Sequence, residues 1–157
     1  MKKITFFIFI LSFIFTSCSS TRNSTKSTRK YSKSDKIIQH AVAYKGTRYK
    51  FGGTTKRGMD CSGLIYVAFK KERIQLPRVS RAMATKGKKV SLRNVKRGDL
   101  LFFKTSRKNR INHVGLVTSV KKGIIRFIHS TTSRGVIVSS LSEKYWKRAY
   151  TKAKRVL

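Results

Sequence analysis

Three residue types in this chain can do nucleophilic chemistry together: a cysteine at position 61 and histidines at 113 and 129. Cys61 follows Met59-Asp60 and precedes Ser62-Gly63-Leu64 and the apolar run Ile65-Tyr66-Val67-Ala68-Phe69. That pattern predicts a helix running from Cys61 to about Glu72, with its apolar stripe in the core. A thiol in the first turn of a helix faces unpaired N–H groups and the positive end of the macrodipole, which predicts a favoured thiolate. Small neighbours at 62 and 63 leave room for a substrate carbonyl. Alone, such a cysteine is equally a small buried hydrophobe. The histidines change that. A nucleophilic thiol needs a base, and the base needs an orienting partner. His113 opens an alternating run whose odd positions share a face with it, and on the following run Ile125, Phe127 and His129 share a face. A short connection at Lys121-Lys122-Gly123 pairs the two runs antiparallel and brings both histidines to one end of the sheet.

The elements that must position these groups are legible as helices first and strands after. Ser34 or Asp35 can cap a helix carrying Ile37, Ile38, Ala41, Val42 and Tyr44 at helical spacing, stopped by Gly46, with His40 an ordinary boundary histidine. Turn-rich segments follow through Gly52-Gly53 and Arg57-Gly58. Leu76-Pro77 breaks the pattern, a short helical piece is expected at about Arg81 to Thr85, and Lys96-Arg97-Gly98-Asp99 is a turn, with Asp99 satisfied locally. Strands are expected at Leu100 to Phe103, His113 to Val120, Ile124 to Ser130, Val136 to Leu141 and Arg148 to Val156. This order describes an α+β domain.

Composition bounds the rest. The 157 residues leave room for one domain; apolar residues make up 39%, enough for a core. Lys and Arg number 38 against 5 Asp and Glu, a formal charge of +33, which directs the surface toward polyanions. Met1-Lys2-Lys3 and the apolar run from Ile4 to Phe15 read as a secretory signal, too short for a membrane span. Phe15-Thr16-Ser17-Cys18 resembles a bacterial lipobox, which implies cleavage before Cys18 and lipid on that residue. Residues 1–17 are then a signal peptide and 18–34 a lipidated cysteine with a flexible, basic tether spanning about 20–24 Å. The tether is read as solvated linker, with contact to anionic lipid as its sharper alternative. With Cys18 lipidated, Cys61 is left a free thiol in an oxidising compartment.

Five pieces together resemble the NlpC/P60 cysteine peptidases of bacterial cell-wall remodelling. They are Tyr49-Lys50-Phe51-Gly52-Gly53, Asp60-Cys61-Ser62-Gly63-Leu64, Leu76-Pro77-Arg78-Val79-Ser80, Arg97-Gly98-Asp99-Leu100-Leu101-Phe102-Phe103 and Asn112-His113-Val114-Gly115-Leu116. They stand in the family's order and cover about residues 36 to 157. The resemblance implies a papain-like α+β fold over residues 35–157, with helices packed on an antiparallel five- to six-stranded sheet. It implies Cys61 as nucleophile, His113 as general base and acid, and His129 as the residue that orients His113. Tyr49 matches a tyrosine near the oxyanion, and Asp60, Ser62, Arg78 and Ser80 match residues of the substrate cleft. It departs from the family after Ser80, where a glutamine is often found and this chain reads Arg81-Ala82-Met83-Ala84. The activity implied is hydrolysis of an amide in the peptidoglycan stem, a γ-D-glutamyl–diamino acid bond first, with no cofactor or metal. A non-catalytic wall-binding module, a cysteine amidase or acyltransferase on the same triad, and a polyanion-binding protein are the rivals. The expected setting is an exported, membrane-anchored monomer, facing the periplasm from the outer membrane if the cell has two. Its partner is stem peptide, and export argues against nucleic acid.

Overall fold

The computed structural model describes residues 31–157. The expected signal peptide, the expected lipobox with Cys18 and the expected tether up to residue 30 lie outside the described residues. The first helix, α1 (Lys33–Val42), begins earlier than the sequence predicts because Ser32 is its cap. The Ser32 hydroxyl accepts the Asp35 N–H while the Asp35 carboxylate accepts the Ser32 N–H, a reciprocal capping box. Ile37, Ile38 and Ala41 form its buried stripe; Val42 stays exposed. Gly46, at φ +84°, turns the chain away in the left-handed region that favours glycine.

A two-stranded hairpin, β1 (Thr54–Thr55) and β2 (Gly58–Met59), which the sequence reading takes as loop, leads into α2 (Cys61–Lys70). After α2 come the short helix α3 (Ser80–Met83), the strand β3 (Lys88–Val90), and a 3-10 turn at Leu92–Asn94. Then follow β4 (Leu100–Phe103), β5 (His113–Lys121), β6 (Ile124–Thr131), β7 (Gly135–Ser140), α4 (Lys144–Ala149) and β8 (Tyr150–Arg155). The last expected strand therefore starts at Tyr150, and its predicted opening, Arg148, belongs to a helix. Trp146 and Ala149 are buried one helical turn apart, a spacing too short to stand out as periodicity.

The large sheet is antiparallel throughout, in the order β3-β8-β4-β5-β6-β7. It is six-stranded and more than a meander, because the chain's last strand inserts between β3 and β4. Both faces are covered. Leu100, Phe102, Val114, Leu116, Ile128 and Val136 meet α1 and α2, while Leu101, Phe103, Val117, Phe127 and Ala153 meet Trp146 of α4. A strand buried on both faces reads as a continuous apolar run, as Leu100-Leu101-Phe102-Phe103 does. The buried members of both clusters lie within residues 37–153, and Val156 packs against the first. No helix among the described residues is long and apolar enough to cross a membrane.

All five carboxylates are committed to holding this fold. Asp35 pairs with Arg97 (2.7 Å), Asp60 with Arg78 (2.9 Å), Glu72 with His40 (2.9 Å) and Asp99 with Arg155 (2.7 Å), and Glu143 accepts the Ser140 N–H (2.7 Å). Asp99 does more than close its turn: it accepts the Lys96 N–H and, through both oxygens, the Arg155 guanidinium, tying β8 to the start of β4.

Candidate active site

Asp60 starts α2 as its cap, its Oδ1 accepting the Gly63 N–H at 2.6 Å. Cys61 is thereby the first helical residue, at the end of the sheet where β5 begins. Its thiol is buried and lies 3.9 Å from the Asn112 carbonyl, one residue before His113. Burial pushes that thiol up to about 11, and the nearby Asp60 carboxylate adds to the effect. Hydrogen bonds from the Val114, Ser62 and Cys61 N–H groups act in the opposite sense and do not win. The helix N-terminus therefore does not yield the resting thiolate that the sequence reading expects, because desolvation of a buried anion outweighs the favourable end of a ten-residue helix. At rest Cys61 is a neutral thiol.

His113 is the first residue of β5, and its Nε2 lies 2.9 Å from Nδ1 of His129. The juxtaposition depends on a β-bulge. The β5–β6 turn, Lys122-Gly123 with both φ positive, sets the pairs Lys121↔Ile124, Val120↔Ile125 and Ser119↔Arg126. Thr118 is then skipped, and Val117 pairs with Phe127. A bulge shifts pairing by one residue, so every side chain beyond it changes partner face. Without it His113 and His129 would lie on opposite faces. With it they share the face of Phe103, Phe127 and Trp146. Trp146 stacks on His113 at 5.2 Å and 24° and meets His129 edge-on at 4.5 Å.

His129 Nε2 lies 3.0 Å from the Ser139 hydroxyl, a buried group on β7. Two proton arrangements satisfy this chain of contacts, and one of them leaves a free base on His113. With His113 Nε2–H donating to His129 Nδ1, His129 Nε2–H donates to Ser139, and His113 Nδ1 is left as an unprotonated base. Burial holds His113 down to about 4; burial, then the charges of His113 and Arg134, hold His129 down to about 2. Both rings are neutral at ordinary pH. Ser139 is absent from the sequence reading because one serine in an alternating strand carries no signal until register is known.

Two adjoining cavities, of about 400 and 320 Å³, meet at Tyr49, Cys61 and Asn112. The larger contains His113, Ser130, Arg134, Glu143 and Trp146, and the smaller contains Phe51, Ser62, Val79, Ser80 and Arg110. The result is a groove with the thiol near its middle. Tyr49 is held by backbone pairing to Met59, and burial, followed by the charge of Cys61, raises its hydroxyl, which stays protonated as a donor.

The structure brings together Tyr49, Cys61, His113 and His129, and it places Asp60, Ser62 and Ser80 along the smaller cavity. Arg78 lies behind them. Its Nη1 donates to Asp60 and Ser62 and its Nη2 to Asp60 and the Gly53 carbonyl, at 2.9–3.2 Å. Asp60 also accepts from Ser62 and from the Gly52 and Gly63 N–H groups. Burial alone would raise the Asp60 carboxyl, but Arg78 and the backbone donors bring it below its ordinary value. Asp60, Ser62 and Arg78 thus form a closed network that fixes the Gly52-Gly53 loop against α2.

Comparison with known proteins agrees with this architecture. The NlpC/P60 family profile matches residues 46–155. Murein DD-endopeptidase MepS/Murein LD-carboxypeptidase of Escherichia coli (strain K12) is 41% identical over 123 residues, 78% of this chain and 62% of that protein. Gamma-DL-glutamyl hydrolase of Bacillus subtilis (strain 168) is 39% identical over 121 residues, 76% of this chain and 28% of the relative. The chain thus spans less than two thirds of either relative. The crystal structure of an NlpC/P60 family protein from Bacillus cereus superposes with a TM-score of 0.72 at 28% identity, covering 79% of this chain and 40% of that one.

Proposed function

We propose, on the premise that this chain belongs to the NlpC/P60 family, that it is a cysteine endopeptidase of peptidoglycan stem peptides. The observation that carries the reading is the groove: space on both sides of Cys61, with a neutral imidazole pair at hand. Such a site takes an internal amide of an extended peptide.

Cys61 is the nucleophile and His113 its base. Because the resting pair is neutral, the thiol proton passes to His113 Nδ1 as sulfur attacks the carbonyl, not before. The imidazolium so formed is held by the hydrogen bond to His129. The Cys61 N–H, at the helix start and turned toward its own sulfur, and the Tyr49 hydroxyl are the candidate donors to the oxyanion. Collapse expels the amine, protonated by His113, and leaves a thioester. His113 then activates water for deacylation.

A γ-D-glutamyl–diamino acid amide is the first target, a reading supported by the likeness to the gamma-DL-glutamyl hydrolase. The stronger likeness to the murein DD-endopeptidase favours a second, the D,D amide that cross-links two stems. The cationic surface suits a polymer with free stem carboxylates. Lipid on Cys18 would keep the enzyme at a membrane, within reach of the wall.

The test is digestion of purified peptidoglycan by residues 31–157 beside the Cys61→Ala variant, with fragments read by mass spectrometry. New termini at one stem amide, absent with the variant, are expected and name the bond. Wall binding by both proteins without cleavage would leave a binding module. Salt-sensitive polyanion binding that ignores Cys61→Ala would favour a charge-driven role.

A further inference from the structure

The end of the β5–β6 hairpin remote from the cleft carries an apolar surface that the endopeptidase reading does not use. Leu92 of the 3-10 turn, Val120 of β5 and Ile124 of β6 are 42%, 39% and 46% exposed, and they surround a shallow groove floored by Ile125 and Leu141. Single exposed apolar residues are ordinary, but three converging on one groove are not. Its border is basic: Arg93 and Lys147 line it, and Lys121 and Lys122, both exposed, sit at the turn between Val120 and Ile124. No carboxylate lines it.

We propose that this face docks on the surface of an anionic phospholipid bilayer. A polar polyanion would be served by the lysines and arginines alone and gains nothing from Leu92, Val120 and Ile124. A bilayer interface uses both, since apolar side chains enter the acyl boundary while cations meet the headgroups. The geometry adds an orientation. From Val120 to His113 β5 runs about 23 Å, so a domain seated on this face holds the Cys61 groove away from the membrane. The surface is independent of lipid on Cys18 and acts on the folded domain itself.

The experiment is co-sedimentation of residues 31–157 with vesicles of phosphatidylcholine containing phosphatidylglycerol, beside vesicles of phosphatidylcholine alone. Binding is expected to the anionic vesicles only. Leu92→Ser/Val120→Ser/Ile124→Ser and, separately, Arg93→Gln/Lys121→Gln/Lys122→Gln/Lys147→Gln should each lower the partition coefficient at least about tenfold. Thermal melting and cleavage of soluble stem peptides should remain at wild-type level in both. A third variant, Lys33→Gln/Lys36→Gln/Lys45→Gln, removes charge from α1 and its C-terminal turn, on the other face of the sheet, and should bind as wild type does. Undiminished binding in either patch variant, an equal loss in the α1 variant, or equal binding to neutral vesicles overturns the proposal. So does a dimer in sedimentation velocity that the apolar variant dissolves, since the occupant would then be a second copy of the chain.

Discussion

At the scale of single residues, the site is a neutral thiol beside a neutral imidazole. Alkylation of Cys61 by iodoacetamide should therefore be slow at pH 7 and climb with pH toward about 11, without the plateau near neutrality of a preformed thiolate–imidazolium pair. Peptide cleavage should instead be flat through neutrality and fall as pH drops toward about 4, where His113 gains a proton. Ser139 acts through His129. Ser139→Ala leaves the His129 Nε2–H without its acceptor and frees that ring to turn its proton toward His113. A fall in kcat of at least about tenfold with KM little changed is expected, with recovery in Ser139→Thr; a Thr variant as impaired as Ala would argue for packing alone. The sequence shows Cys61, His113 and His129 because their types are rare and their order is informative. It does not show Ser139, nor that Asp60, Ser62 and Arg78 spend their hydrogen bonds on one another. Both depend on contacts across 10 to 18 residues that no local pattern encodes.

At the scale of elements, α1, α2, α3 and the four strands from Leu100 to Ser140 follow from period and turn residues, whereas α4 does not. The bulge does not: Thr118 looks like any other strand residue, yet it decides which face His113 presents to His129. Deleting Thr118 removes the residue that must be skipped and leaves Val117 opposite Phe127 and Ser119 opposite Arg126 in one continuous ladder, so His113 keeps the face of His129. Cleavage should survive the deletion; its loss would show that the local twist of the bulge, and not register alone, aims the His113 ring. The approach of the Gly52-Gly53 loop to α2 is equally strict. A Cβ on Gly63 would lie 2.1 Å from the Gly53 carbonyl oxygen, a backbone atom, so Gly63→Ala must push loop and helix apart. A loss of about 1–3 kcal/mol or more in denaturant unfolding is expected, together with loss of activity.

At the scale of the molecule, two buried histidines make stability depend on acid. Their folded pKa values lie below the ordinary 6.5, so the unfolded chain binds protons first. The stabilisation is complete above pH 6.5 and is lost as pH falls from there toward about 4, at about 1.4 kcal/mol per pH unit for each ring that stays neutral when folded. Urea midpoints measured between pH 7 and pH 4 should fall in wild type and fall less steeply in His129→Gln. The surface charge, in contrast, is carried by Lys and Arg, and each of the five carboxylates has a partner within the fold. Ionic strength, more than pH, sets how strongly the domain meets polyanions.

The chain's one tryptophan lies against both imidazoles. An indole excited beside a protonated imidazole is quenched, whereas a neutral ring leaves it bright. Trp146 emission is thus an optical gauge of the proton that the proposed hydrolysis would move onto His113, readable in the unlabelled protein. In a stopped-flow mixing experiment its dimming and recovery would time acylation and deacylation separately.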